Sequence, residues 1–180
     1  MIATAAGTGA RRAEVVALGV TSIRRSEGTI MFDRTKGGGF REAALHRHIL
    51  GHLDDWLGVR GHTSGPLFPA LRKGGHLQDT PVSAHQFWKV LRQRAREAGI
   101  DRAPTPHDLR RWFVSTLLTE GVDLFVVMRA VGHRSPTTTA LYDRRPLEEL
   151  RKFVDLLPIP DQASLDDNSP DADGTEQQAT

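Results

Sequence analysis

Cysteine is absent from this 180-residue chain. Disulfides and thiolate metal sites are therefore excluded, which is compatible with a cytosolic protein. No long apolar run is present, and with 38% hydrophobic residues the composition is that of a soluble chain with no membrane span. Met1 to Gly9 lacks the basic start and apolar core of a secretory signal. Lys and Arg are missing from Pro158 to Thr180, where six acids stand instead. Setting those six aside leaves 24 basic against 16 acidic side chains, a surplus of +8 on residues 1–157. A basic body of that kind fits a polyanion, of which nucleic acid is the commonest.

The length allows one domain with a real core. Residues 1–9 are small and polar, without a helix-length apolar face, and a short helix is expected over Arg11 to Leu18. Within it, Arg11 and Glu14 are spaced for a surface ion pair worth about 0.3 kcal/mol. Thr29 to Asp33 and Phe40 to Leu45 read as strands around a glycine turn, giving a hairpin or three-stranded sheet. His46 to Gly58 reads as a helix. Its His48 and His52 have metal-compatible spacing, but the plain reading is two exposed histidines. Gly58 to Pro81 reads as loop, with Pro66-Leu67-Phe68 extended and a basic stretch containing Arg72 and Lys73.

Ser83 caps a helix running to Ala98, with Phe87, Val90, Leu91 and Ala95 as its buried stripe. Its Lys89, Arg92 and Arg96 form either a solvated face or, with Arg72 and Lys73, a track for a DNA backbone. Further helices are expected after Pro106, after Asp123, over Thr137 to Tyr142, and over Leu147 to Leu157. The acidic stretch 158–180 has the composition of a disordered tail. The fold class is mainly α with a small antiparallel β-sheet, an α+β domain over residues 1–157.

The run from His107 to Tyr142 carries the chemistry. His107 and Arg110 are three residues apart after Pro106, so both project from the first turn of one helix, where a phosphate can meet both. Gly132-His133 closes an apolar helical run, and Tyr142 follows nine residues after His133, within reach of both histidines.

The order His107-Asp108-Leu109-Arg110-Arg111, Gly132-His133, Tyr142 resembles the catalytic box of the tyrosine recombinases, or phage integrase family. Two further positions fit that resemblance: Arg11 within Gly9-Ala10-Arg11-Arg12-Ala13-Glu14, and Lys36 on the turn Thr35-Lys36-Gly37-Gly38-Gly39. It implies a recombinase catalytic domain lacking its first helices and its core-binding domain. It also implies catalytic roles for Arg11, Lys36, His107, Arg110, His133 and Tyr142, with Tyr142 as nucleophile through a 3′-phosphotyrosyl link. No metal or cofactor is implied. The implied partners are double-stranded DNA and other recombinase subunits, as a tetramer on DNA; the C-terminal segment docks on its own core or on a neighbouring subunit.

Each residue also has a plain reading. His107 can be a helix-start residue, Arg110 a core salt bridge, His133 a helix stop and Tyr142 a packing residue. Two other functions stay open: a remnant that only binds DNA or another recombinase subunit, and a metal-dependent phosphohydrolase, for which a carboxylate cluster is lacking.

Overall fold

The structure, a computed structural model, describes residues 1–33, 40–133 and 135–143. The chain begins with helix α1, Ile2–Thr8, where the small polar composition had suggested none. Its stabilisation comes from close approach rather than from a broad apolar stripe. Thr4, Ala5 and Thr8 are buried, α1 packs on the later helices Arg47–Arg60 and Pro106–Thr119, and a Cβ at Gly7 would collide with Ile49 Cδ1. Gly9 ends the helix with φ 58°, and a Cβ there would stand 2.6 Å from Phe113 and 2.9 Å from Val131. Only glycine satisfies both conditions.

Helix α2 follows at Arg12–Val16, shorter than its apolar residues suggest. Three antiparallel strands then form a sheet in the order β1-β2-β3: Ile23–Arg24, Thr29–Phe32 and Arg41–Ala44. Strand β2 alternates as a half-buried strand should, with Ile30 and Phe32 inward. In register, Phe32 faces Arg41, whose guanidinium lies 4.2 Å from the Phe32 ring centroid. The expected glycine turn between β2 and β3, residues 34–39, lies outside the described residues, as do the expected 147–157 helix and the 158–180 tail.

Helix α3, Arg47–Arg60, is capped by His46, whose ring nitrogen accepts from the His48 N–H. Within the expected loop lies a second sheet, β4 Pro69–Leu71 against β5 Leu77–Pro81, whose turn carries Arg72 and Lys73. The β5 residues Leu77-Gln78-Asp79-Thr80-Pro81 are mostly exposed, so no alternation marks them as a strand. The Pro66-Leu67-Phe68 stretch is extended but sits before the strand, with Pro66 bridging Gly19 and the Leu67 N–H donating to Leu18 at 2.7 Å.

Helix α4, Ala84–Glu97, starts from a reciprocal Ser83–Gln86 cap and buries Phe87, Leu91 and Ala95. Val90 does not join them; it is exposed at the rim of an apolar groove beside Trp56 and Phe68. Helix α5, Pro106–Thr119, opens with a Thr105–Asp108 capping box, and α6, Leu124–Val131, with Asp123 accepting from two backbone N–H groups. Helix α7 is brief, Pro136–Ala140, and Tyr142 falls in the turn after it rather than inside it. Two apolar clusters hold these elements. The larger joins α1, α2, the sheet, α3 and Phe87, and the smaller joins Val114, Leu118, Val127 and Val131, with Tyr142 packed against it.

Candidate active site

The site grows from the C-terminus of α6. The last carbonyls of a helix lack intrahelical partners and carry its negative dipole end, so they attract cations. Three guanidinium groups answer them in succession. Arg41 donates to Ala130 O at 2.6 Å, Arg110 to Val131 O at 2.7 Å, and Arg11 to Gly132 O at 3.4 Å. Arg110 also donates to Gly9 O at 2.7 Å, so the turn after α1, the N-terminal part of α5 and the end of α6 meet at one buried side chain.

Glu14 holds the other two arginines. Its carboxylate accepts from the Arg11 backbone N–H at 2.7 Å, from Arg11 Nη1 at 3.0 Å and from Arg41 Nη2 at 2.9 Å. The expected surface ion pair is thus half wrong: Arg11 is partly exposed, but the Glu14 side chain is 1% exposed. Burial works against the Glu14 charge, yet the Arg11 backbone bond and the Arg41 charge outweigh it and hold the carboxyl below its usual range. For Arg110, burial and then the neighbouring Arg11 lower the guanidinium to about 10, which leaves it charged at neutral pH.

His133 follows Gly132, whose φ of 66° turns the chain out of α6. Its Nδ1 lies 2.7 Å from the hydroxyl of Thr139, which is fully buried. Burial first, then the charges of Arg110 and Arg11, lower the imidazole to about 4, so it is neutral at physiological pH. When the Thr139 hydroxyl donates to Nδ1, the proton of the neutral ring sits on Nε2. The Tyr142 ring stacks beside His133 with centroids 6.5 Å apart, and its hydroxyl lies 3.5 Å from His107 Nε2, at the long edge of hydrogen-bond range.

A cavity of about 370 Å³ opens beside these groups, lined by Arg11, Arg12, Trp88, Thr105, Pro106, His107 and Arg110. It has no acidic lining residue and room for a phosphate group. Of the six residues expected to converge, Arg11, His107 and Arg110 line this cavity, and His133 and Tyr142 stand together with the phenol reaching His107. Lys36 lies outside the described residues. Lys89, Arg92 and Arg96 line a second, shallow cavity of about 390 Å³ on α4, where Arg92 stacks 4.5 Å above Trp88. Trp88 belongs to both cavities, whereas Arg72 and Lys73 on the β4–β5 turn border neither.

Sequence reasoning missed Trp88, Thr139 and the bracing role of Arg41. The only signal for Trp88 was Arg92 four residues on, a pair that shares one helix face. Among the described residues no group of three or more His, Asp or Glu side chains could hold a metal ion, and no helix is long and apolar enough to cross a membrane.

A helical domain with two small antiparallel sheets, in which arginines and histidines surround an anion-sized cavity beside a phenol, is the combination that the tyrosine recombinase resemblance implies. The comparisons with known proteins agree: the phage integrase family profile matches residues 1–148, and the chain belongs to that family. It is 30% identical over 149 residues to tyrosine recombinase XerA of Pyrococcus furiosus, covering 83% of this chain and 50% of that protein. To tyrosine recombinase XerD of Mycobacterium leprae it is 35% identical over 155 residues, covering 81% and 47%. The chain spans about half the length of the curated relatives it matches. The fold matches the crystal structure of XerA recombinase with a TM-score of 0.71 at 24% identity, over 85% of this chain and 54% of that one. It also matches XerH bound to difH substrate in a pre-cleavage complex, with a TM-score of 0.63 at 25% identity, over 85% and 44%.

Proposed function

We propose that this domain cuts and rejoins double-stranded DNA through a 3′-phosphotyrosyl intermediate, with Tyr142 as nucleophile. The observation that carries the reading is the Tyr142 hydroxyl 3.5 Å from His107 Nε2, on a histidine that shares its cavity with Arg11 and Arg110.

Cleaving a phosphodiester builds negative charge on the nonbridging oxygens and expels a basic alkoxide. The charge is met by Arg11 and Arg110, and preorganised donors of this kind typically contribute about 3 kcal/mol each to lowering a barrier. Both are fixed before the substrate arrives, Arg11 by Glu14 and Arg110 by two carbonyls, so little reorganisation is needed. His133 adds an Nε2–H donor when the Thr139 hydroxyl donates to its Nδ1. A phenol is mostly protonated at neutral pH, and His107 Nε2 takes its proton as the phenol oxygen attacks phosphorus. The bond to the 5′ oxygen breaks, that oxygen leaves with the electron pair, and Lys36 protonates it. The phosphate stays on Tyr142 until a 5′-hydroxyl attacks and displaces the phenol. Bond energy is conserved in the link, so joining needs no nucleotide cofactor.

Trp88, Lys89, Arg92 and Arg96 extend the site along α4 and supply a track for the flanking backbone. The domain works in the cytoplasm, as a tetramer on DNA or beside other recombinase subunits. The test is incubation of the full chain with labelled suicide duplexes carrying DNA that flanks its gene. A covalent adduct that disappears in Tyr142→Phe supports the reading. Retarded duplex without adduct supports the competing one, a domain that only binds DNA or another recombinase subunit.

A further inference from the structure

Position 111 follows Arg110 on α5, and unlike its neighbour it points outward, exposed to solvent. His107 and Arg111 are one helical turn apart and therefore emerge on the same face. Both meet Tyr142: His107 at its hydroxyl, 3.5 Å away, and Arg111 at its ring, with the guanidinium carbon 5.8 Å from the centroid. A cation within about 6 Å of an aromatic centroid is attracted by the ring's quadrupole. The planar guanidinium also stacks on such a ring in a way an ammonium cannot.

Tyr142 needs such an anchor. It lies in the turn beyond α7, where its N–H donates to Thr139 O at 3.0 Å. Helix geometry therefore does not fix its side-chain direction. On its other sides, the ring stacks beside neutral His133 and packs on the Val114–Leu118 cluster, neither of which aims the hydroxyl. Asp108, the acidic neighbour one turn before Arg111, is engaged by the Thr105 N–H at 2.9 Å and the Thr105 hydroxyl at 2.8 Å.

We propose that Arg111 is a positioning residue for the nucleophile: its guanidinium holds the Tyr142 ring so that the hydroxyl stays at His107. The catalytic consequence rests on the recombinase reading above, whereas the positioning itself does not.

The chain contains a single tyrosine, so growth on meta-fluorotyrosine places one fluorine label in the protein, at position 142. The fluorine NMR resonance of the full chain is then compared among wild type, Arg111→Gln, Arg111→Lys and, as a charge-matched control at an exposed site, Arg24→Gln. The expected result is a resonance that moves toward the value of the denatured chain in Arg111→Gln, moves less in Arg111→Lys, and stays in place in Arg24→Gln. In the adduct assay, Arg111→Gln slows the maximal rate about three- to five-fold, the size of an exposed cation–ring interaction, with the half-saturating DNA concentration unchanged and partial recovery in Arg111→Lys. An unmoved resonance in Arg111→Gln overturns the proposal. So does a weakened half-saturation with an unchanged maximal rate, which makes Arg111 a DNA-binding side chain. A moved resonance in a chain that forms no adduct supports the positioning and counts against the recombinase reading alone.

Discussion

Thr139 Oγ1 and His133 Nδ1 lie 2.7 Å apart, linking α7 to the residue that leaves α6. The pair ties the imidazole to the same short segment that carries Tyr142, the proposed nucleophile, three residues later. Thr139→Val keeps the shape and deletes the hydroxyl. The expected outcome is a drop of about 1–2 kcal/mol in stability, the usual cost of orphaning a buried polar partner, and a roughly tenfold slower adduct rate. Urea unfolding and adduct kinetics measure the two separately; unchanged kinetics with lowered stability would make Thr139 structural only.

His133 also gives the fold a pH signature. Its value falls from 6.5 to about 4 on folding, chiefly through burial. The unfolded chain therefore binds the extra proton first, and the contribution of His133 is complete above pH 6.5 and lost as pH falls toward 4. The urea midpoint should decline over that window more steeply in wild type than in His133→Gln. Parallel curves would contradict the shift.

Glu14 braces two of the three arginines. Glu14→Gln leaves Arg41 buried without its counter-charge, and removing one member of a buried pair costs about 3 kcal/mol or more. Because the Glu14 carboxyl is held below its usual value of 4.5, its stabilisation is present above that pH and disappears on further acidification. The variant should be less stable at neutral pH and should lack the part of the acid transition that Glu14 carries. Both are read from urea unfolding at neutral and acid pH.

On α4, the proposed DNA track makes a salt prediction. Neutralising Lys89, Arg92 or Arg96 one at a time should weaken duplex binding irrespective of sequence, and should reduce the log–log salt slope by about 0.9 for each phosphate that is no longer neutralised. Filter binding at several salt concentrations measures this. A slope that does not change assigns these charges to a solvated face.

Much of this molecule was legible because its signals are local. Ser83 and Asp123 cap where capping chemistry places them, β2 alternates, and His107 and Arg110 share a helix turn because they stand three positions apart. What escaped depends on neighbours distant in sequence. Helix α1 is stable because Gly7 and Gly9 let it approach Ile49 and Phe113 closely, and nothing in residues 1–9 reports those partners. The β4–β5 pair lies at the surface with little alternation to mark it. Arg41 read as a strand residue, although its cross-sheet position aims it at Glu14 and at the end of α6. For Trp88 the sequence offered only Arg92 on the same helix face, which does not reveal the two basic cavities that it walls.

The most direct test is to locate the covalent bond. After reaction with a suicide duplex and nuclease digestion of the DNA, mass spectrometry of the tryptic peptides should find a nucleotide phosphate on the peptide containing Tyr142, the chain's single tyrosine, and none in the Tyr142→Phe variant. An adduct on any other residue, or cleaved DNA with every peptide unmodified, would contradict Tyr142 as the nucleophile.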